Sequence, residues 1–147
     1  MRKQISKEAI ELLSEHLRNR EESVSCVIVC KSIRTGVDYT YKIFADTKRK
    51  TRIVGIAIEG MYQTFKGFYY IFDDNIKKIN LTKDSHKGGA MILNLIYTNQ
   101  IDKLLEVVEL SHTGKCMKCN RTLTDLTSIE FGMGPTCRGG RTFNRED

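Results

Sequence analysis

Val24-Ser25-Cys26-Val27-Ile28-Val29-Cys30-Lys31 is the stretch at which the periodicity of the chain turns from helical to extended. Val24, Cys26, Ile28 and Cys30 alternate with Ser25, Val27, Val29 and Lys31, the two-residue repeat of a strand that is apolar on both faces at its centre. Upstream, Ala9, Ile10, Leu13 and Leu17 recur at helical spacing, with Glu8, Glu11, Glu15 and Arg18 turned outward. Ser6 is placed to cap this helix and Ile5 to staple onto Ile10, and the pattern runs to about residue 20. His16 falls on the surface of the helix in this reading, and Cys26 and Cys30 are small buried hydrophobes.

Downstream, Arg34-Thr35-Gly36 makes a turn, and Tyr39, Tyr41, Ile43 and Ala45 form one face of a returning strand. A charged loop over 46–51 leads to a third strand at 52–58. A fourth strand at 65–72 meets a fifth at 76–81 across Asp73-Asp74-Asn75, whose side chains suit a tight turn. Asp84 or Ser85 caps a helix carrying Ala90, Met91, Ile92, Leu93, Leu95, Ile96 and Tyr97, apolar nearly all round and therefore packed on the sheet. Gly88-Gly89 weakens its start, residues 101–105 continue it, and His86 sits in the loop or at the helix start. Residues 107–110 read as a last strand. This order predicts an α+β fold: an antiparallel sheet of five to six strands, an N-terminal helix and a second packed helix. The expected division is an α+β body over 1–110 and a cysteine-bearing module over 111–147.

With 147 residues, 40% apolar and 29% charged, the chain is sized for one compact domain with a small appendage. One proline, no tryptophan and no repeat exclude collagenous and proline-rich classes. The apolar runs fall far short of the roughly 20 residues a bilayer-spanning helix needs. The amino-terminal residues lead into a Glu-bearing amphipathic segment and not a hydrophobic signal core, so the expectation is a cytosolic protein. Charge is unevenly spread: residues 31–52 hold seven basic and two acidic side chains, most of the chain's net +6. Lys48, Arg49, Lys50 and Arg52 are the candidate partner-binding residues, for phosphates or an acidic protein face. So basic a chain is not a DNA mimic, which needs carboxylates in place of phosphates.

The chemistry lies in Ser111-His112-Thr113-Gly114-Lys115-Cys116-Met117-Lys118-Cys119-Asn120-Arg121 and the later Cys137. A Cys-x-x-Cys pair lets two thiolates reach one ion from a single tight turn, and Asn120 is the non-glycine type that best tolerates the left-handed backbone of such a knuckle. Gly132-Met133-Gly134-Pro135-Thr136 turns the chain so that Cys137 can join them. A structural zinc site wants four ligands, and His112 is the first candidate for the fourth, with Asp125, Glu130, Cys26 and Cys30 as competitors. Three thiolates, Zn²⁺ and a neutral imidazole carry one net negative charge, which Lys115, Lys118, Arg121 and Arg138 are placed to offset. A redox pair would leave Cys137 without a part. The zinc deaminase pattern would need a Glu and a Pro where Gly114 and Lys115 stand. No Ser/His/Asp set, phosphate-cradling glycine loop or carboxylate pair stands out, and the expectation is a structural site in a protein that is not an enzyme.

Residues 112–137 resemble an uncharacterised zinc-binding module of bacteriophage and prophage genes, which reads His, a short gap, Cys-x-x-Cys-Gly-Arg, Leu-Thr-Asp-Pro-x-Ser-Ile and Gly-x-Gly-Pro-x-Cys. Asn120 stands where that module has Gly, and Leu126 where it has Pro. The resemblance implies a phage or mobile-element protein acting in the bacterial host cytoplasm. In size and arrangement the chain is also similar to small zinc-bearing anti-CRISPR proteins, which implies a stoichiometric inhibitor of Cas9 or another CRISPR effector, blocking target-DNA loading or a conformational step. The alternative is a phage nucleic-acid-binding accessory protein in which residues 31–52 and the zinc tail hold phosphates.

Overall fold

The computed structural model describes residues 2–47, 52–72, 75–79 and 81–139. The chain begins with a two-residue strand, β1 (Lys3–Gln4), followed by α1 (Lys7–Arg18). Then come β2 (Val24–Ser32), β3 (Asp38–Asp46), β4 (Ile53–Glu59), β5 (Phe65–Phe72) and β6 (Asn75–Lys78). Two helices, α2 (Asp84–Tyr97) and α3 (Ile101–Val107), precede β7 (Val108–His112), and α4 (Leu126–Phe131) lies in the cysteine segment. The seven strands form one sheet in the order β1-β7-β2-β3-β4-β5-β6, antiparallel at every pairing. The α+β class is therefore as expected. The sequence reading lacked β1, too short to show a period, and α4.

Register explains the two faces. Cys26 pairs with Ile43, Ile43 with Ile56, and Ile56 with Tyr69, a row that joins the main cluster of buried residues beneath the helices. One residue along, Phe44, Gly55 and Tyr70 form the next row, on the opposite face because side chains alternate along a strand. There the Phe44 and Tyr70 rings meet edge to face at 5.9 Å.

Helix α1 starts where expected: the Ser6 hydroxyl accepts from the Ala9 N–H at 3.2 Å. It stops at Arg18, two residues short of the expected end, because Asn19 is already extended. Helix α2 keeps both glycines inside it, and Gly89 has a packing reason: a Cβ there would lie 2.5 Å from Phe68 Cζ and 2.8 Å from Tyr41 Cε1. His86 takes the helix-start place of the two expected for it, in the first turn of α2, where it is buried and stacked on Phe68. Asn99, with φ 56°, breaks the chain between α2 and α3, so the two helices are separate.

The expected boundary after residue 110 falls inside β7, whose Ser111 pairs with Val29 of β2 and Gln4 of β1. Cys116, Met117, Leu123, Phe131 and Met133 belong to the same buried cluster as the residues of α1 and the sheet.

Candidate metal centre

Strand β7 delivers the chain to the knuckle. Its two-residue alternation puts Val108, Leu110 and His112 inward and Glu109 outward. Beyond it, Lys115 and Thr122 face each other in a small antiparallel bridge, and the Cys116 N–H donates to the Arg121 carbonyl at 2.8 Å. The Asn120 N–H returns to the Cys116 carbonyl at 2.9 Å with Asn120 at φ 61°, the left-handed conformation expected of it. The Ser25 N–H of β2 donates to the Lys118 carbonyl at 2.7 Å, tying the knuckle to the sheet. Helix α4 then turns the chain back. Asp125 caps it, its carboxylate accepting from the Ser128 N–H at 3.0 Å, and Gly132 closes it at φ 93°. Leu126 is its first residue, the place where proline's fixed φ is preorganised for a helix.

This arrangement brings Cys116, Cys119 and Cys137 together, with their three Sγ atoms all within 4.8 Å of one another. Such a trio can hold a metal ion. Cys116 is buried, Cys137 half-buried and Cys119 exposed, so the cluster lies at the surface of the core. Burial raises the Cys116 thiol, but the N–H groups of Cys119, Gly134 and Lys118 and the Cys119 thiol outweigh it and leave Cys116 below the ordinary thiol value. Cys137 is pushed up to about 12 by burial, then by the neighbouring Cys116 and Cys119 sulfurs. Thiolates crowded in one spot repel, and a divalent cation removes that penalty.

His112 does not join them. Its ring is fully buried, Nε2 donates to the Ile129 carbonyl at 2.7 Å, and Nδ1 accepts from the Gly114 N–H at 3.0 Å. Both nitrogens are committed inside the protein, which fixes a neutral tautomer and leaves no lone pair for an ion. Burial also lowers its pKa, against the opposing pull of the Ile129 carbonyl. The reason for the correction is strand period: His112 is the last inward residue of β7 and points at α4, not at the knuckle.

The competitors are also accounted for. Asp125 is the α4 cap and Glu130 pairs with Lys3 at 3.1 Å. Cys26 and Cys30 are buried in the sheet, and burial raises both thiols well above the ordinary value. Arg138 is a structural residue: its buried Nη1 donates to Ser128 Oγ at 2.8 Å and to the Met133 carbonyl at 3.2 Å, bracing the loop that carries Cys137.

Arg52 is a second correction. Expected in a docking loop, it is only 6% exposed, and its guanidinium donates to the carbonyls of Leu17 and His16 (3.3 Å) in the last turn of α1 and of Glu22 (3.0 Å) in the loop beyond it. The last carbonyls of a helix have no partner within it, and here a buried cation supplies one. Lys48, Arg49 and Lys50 lie outside the described residues.

His16 was missed by sequence reasoning. Only 12% of its side chain is exposed; Nδ1 meets the Glu22 carboxylate and Nε2 lies 2.8 Å from the Cys137 carbonyl oxygen. No local pattern announces a contact across 121 positions.

A family of unknown function (DUF6011) matches residues 111–142. The DUF6011 match covers under a quarter of the chain and holds all three clustered cysteines, so the likeness concerns this centre and not the sheet. No curated protein and no solved structure matches the chain. Among the described residues no helix is long and apolar enough to cross a membrane.

Proposed function

We propose that the chain is a non-catalytic binding protein whose carboxyl-terminal segment folds around one zinc ion. The observation that carries this reading is the convergence of Cys116, Cys119 and Cys137. Soft thiolates select zinc over hard cations, and a Cys-x-x-Cys turn with one distal cysteine is a usual ligand set for it. The ion cross-links the knuckle to the loop after α4 and adds to what the burial of Met117, Phe131 and Met133 already contributes to that segment.

The partner we propose is a bacterial CRISPR effector of the Cas9 type, following the resemblance of the chain to small zinc-bearing inhibitors. With Arg52 assigned to the interior, the surface that supports docking is a cleft of about 700 Å³ between the β2–β3 turn and helices α2 and α3. Ile33, Val37, Tyr39, Met91 and Val107 line it and are exposed, an apolar rim of the kind protein interfaces use.

Two measurements test the two halves. Elemental analysis of protein purified without added metal should give one zinc per chain, and a preparation free of transition metal refutes the metal centre. Immobilised protein should capture Cas9 with or without guide RNA at micromolar concentration, and Val37→Glu should abolish capture. Absence of capture, or tight binding to plain DNA that collapses between low and moderate salt by counterion release, refutes the inhibitor reading.

A further inference from the structure

The row Cys26, Ile43, Ile56 and Tyr69 is buried beneath the helices, and the sheet has a second face. On it, Phe44 of β3 and Tyr70 and Phe72 of β5 make a run of three half-buried rings. Their centroids lie 5.9 Å apart from Phe44 to Tyr70 and 6.0 Å from Tyr70 to Phe72. Two glycines let the middle ring lie down. A Cβ on Gly55 would stand 2.4 Å from Phe44 Cζ and 2.9 Å from Tyr70 Cδ1, and one on Gly67 would stand 2.0 Å from Tyr70 Oη. The Tyr70 ring is thus laid along the sheet from one glycine to the other. An open cleft of about 650 Å³ runs over this face, with Ser25, Lys42, Phe44, Phe65 and Tyr70 in its lining. It shares no residue with the cleft between the β2–β3 turn and the helices.

We propose that this face binds single-stranded nucleic acid, stacking bases on Phe44, Tyr70 and Phe72 and holding phosphate through Lys42. Rings on an open antiparallel sheet offer the surface on which unpaired bases stack, and every base has a face to offer in return. A duplex keeps its base faces inside and gains nothing from such a platform. The charge has the sign a phosphate backbone requires. Lys42 lies two residues before Phe44 on the same strand and lines the same cleft, and the register of β6 sets Lys77 opposite Tyr70. Strand β3 falls within residues 31–52, where seven side chains are basic and two acidic, and one of those two, Asp38, is paired with Arg2 at 3.1 Å. A second copy of the chain would bring like charge against like, whereas a polyanion is drawn in. The assignment goes beyond the metal centre and the docking cleft and does not depend on either.

The test is fluorescence anisotropy of the full chain with labelled oligothymidylate, oligouridylate and a DNA duplex. Single strands should bind and the duplex should not; a preference between the two sugars tells DNA from RNA and supports the stacking assignment either way. With about two phosphates neutralised, log affinity should fall against log salt with a slope of about −1.4. Phe44→Leu and Tyr70→Leu keep apolar bulk and lose a ring, and each should weaken binding about fivefold or more. Tyr70→Phe should retain it, and Tyr39→Leu, in the docking cleft, should leave it unchanged. The chain has no tryptophan, so Phe72→Trp installs a single reporter whose emission should be quenched when oligothymidylate is added. That signal guards against a leucine variant that merely loosens the fold. The proposal is overturned if neither single strand binds, if duplex binds as tightly as single strands, or if affinity is indifferent to both leucine substitutions. Emission of the Phe72→Trp variant unmoved by oligonucleotide overturns it too, as does a dimer that Phe44→Leu dissociates in a chain that binds neither strand.

Discussion

Replacing Arg52 by Met keeps most of the side-chain stem and removes only the guanidinium, and this isolates the hydrogen bonds that close α1. Three carbonyls, of His16, Leu17 and Glu22, lose a charged donor. A hydrogen bond to a charged group contributes about 1.5–3 kcal/mol, so three would sum to roughly 4–9 kcal/mol if nothing replaced them. The Asn19, Arg20 and Glu21 side of this loop is exposed, so water can reach part of the freed backbone and recover about half of the loss. The expected destabilisation is about 2–4 kcal/mol, near the cost of breaking a buried ionic arrangement from one side. For a chain of this length that corresponds to a fall in Tm of about 5–15 °C. Urea denaturation followed by circular dichroism gives the midpoint shift directly, and the m value should not change. A loss below about 0.5 kcal/mol, the range of ordinary surface substitutions, refutes the capping role. Intact stability with weakened partner capture would return Arg52 to the docking loop that the sequence suggested.

Three further outcomes are expected. Cys116→Ser should lower metal content from one ion per chain toward none and loosen the segment after His112, whereas Cys26→Ala should leave metal content unchanged and cost about 1 kcal/mol as a small core truncation, with elemental analysis separating the two. The adjacent glycines of α2 should respond in opposite directions to alanine. At Gly88 a Cβ would meet nothing nearer than Tyr41 Oη, at 3.9 Å, and thermal melting should show a gain of about 0.5–1 kcal/mol from helix propensity. At Gly89 the 2.5 Å approach to Phe68 Cζ should turn the same change into a net loss of about 1 kcal/mol. Mild acid should destabilise the fold through His112: its pKa is lowered by burial, so the folded chain binds the proton less readily than the unfolded one. That stability is complete above the ordinary histidine value of about 6.5 and is lost as pH falls below it toward the folded value. Urea midpoints at pH 7.5 and 5.5 should differ more for the unaltered chain than for His112→Asn, and equal slopes would contradict the neutral, doubly bonded ring.

The alternation from Val24 to Cys30 and its returning partner identified a strand pair because period two is a local property, written in consecutive residues. The Ser6 cap and the left-handed Asn120 were legible for the same reason. The three cysteines were legible because ligand spacing and turn-forming residues constrain where sulfurs can meet, and the structure brings them together. The reading failed where proximity in sequence stood in for proximity in space. His112 lies near Cys116 along the chain, yet the pleat turns it toward α4. Arg52 looked like the edge of a basic loop, yet it reaches the end of a helix 34 positions upstream of it, at Arg18.

From its residues alone, then, this protein is an α+β chain with an antiparallel sheet and a cysteine trio suited to a soft metal, since periodicity and ligand spacing are set by bonds between near neighbours. Tertiary structure decided where the charged and imidazole side chains go. The sheet carries β7 back beside β2 and sets the Cys137 loop against the end of α1, so His16 and Glu22 become its neighbours, and Arg52 reaches the carbonyls of both, through packing that no short window of sequence contains.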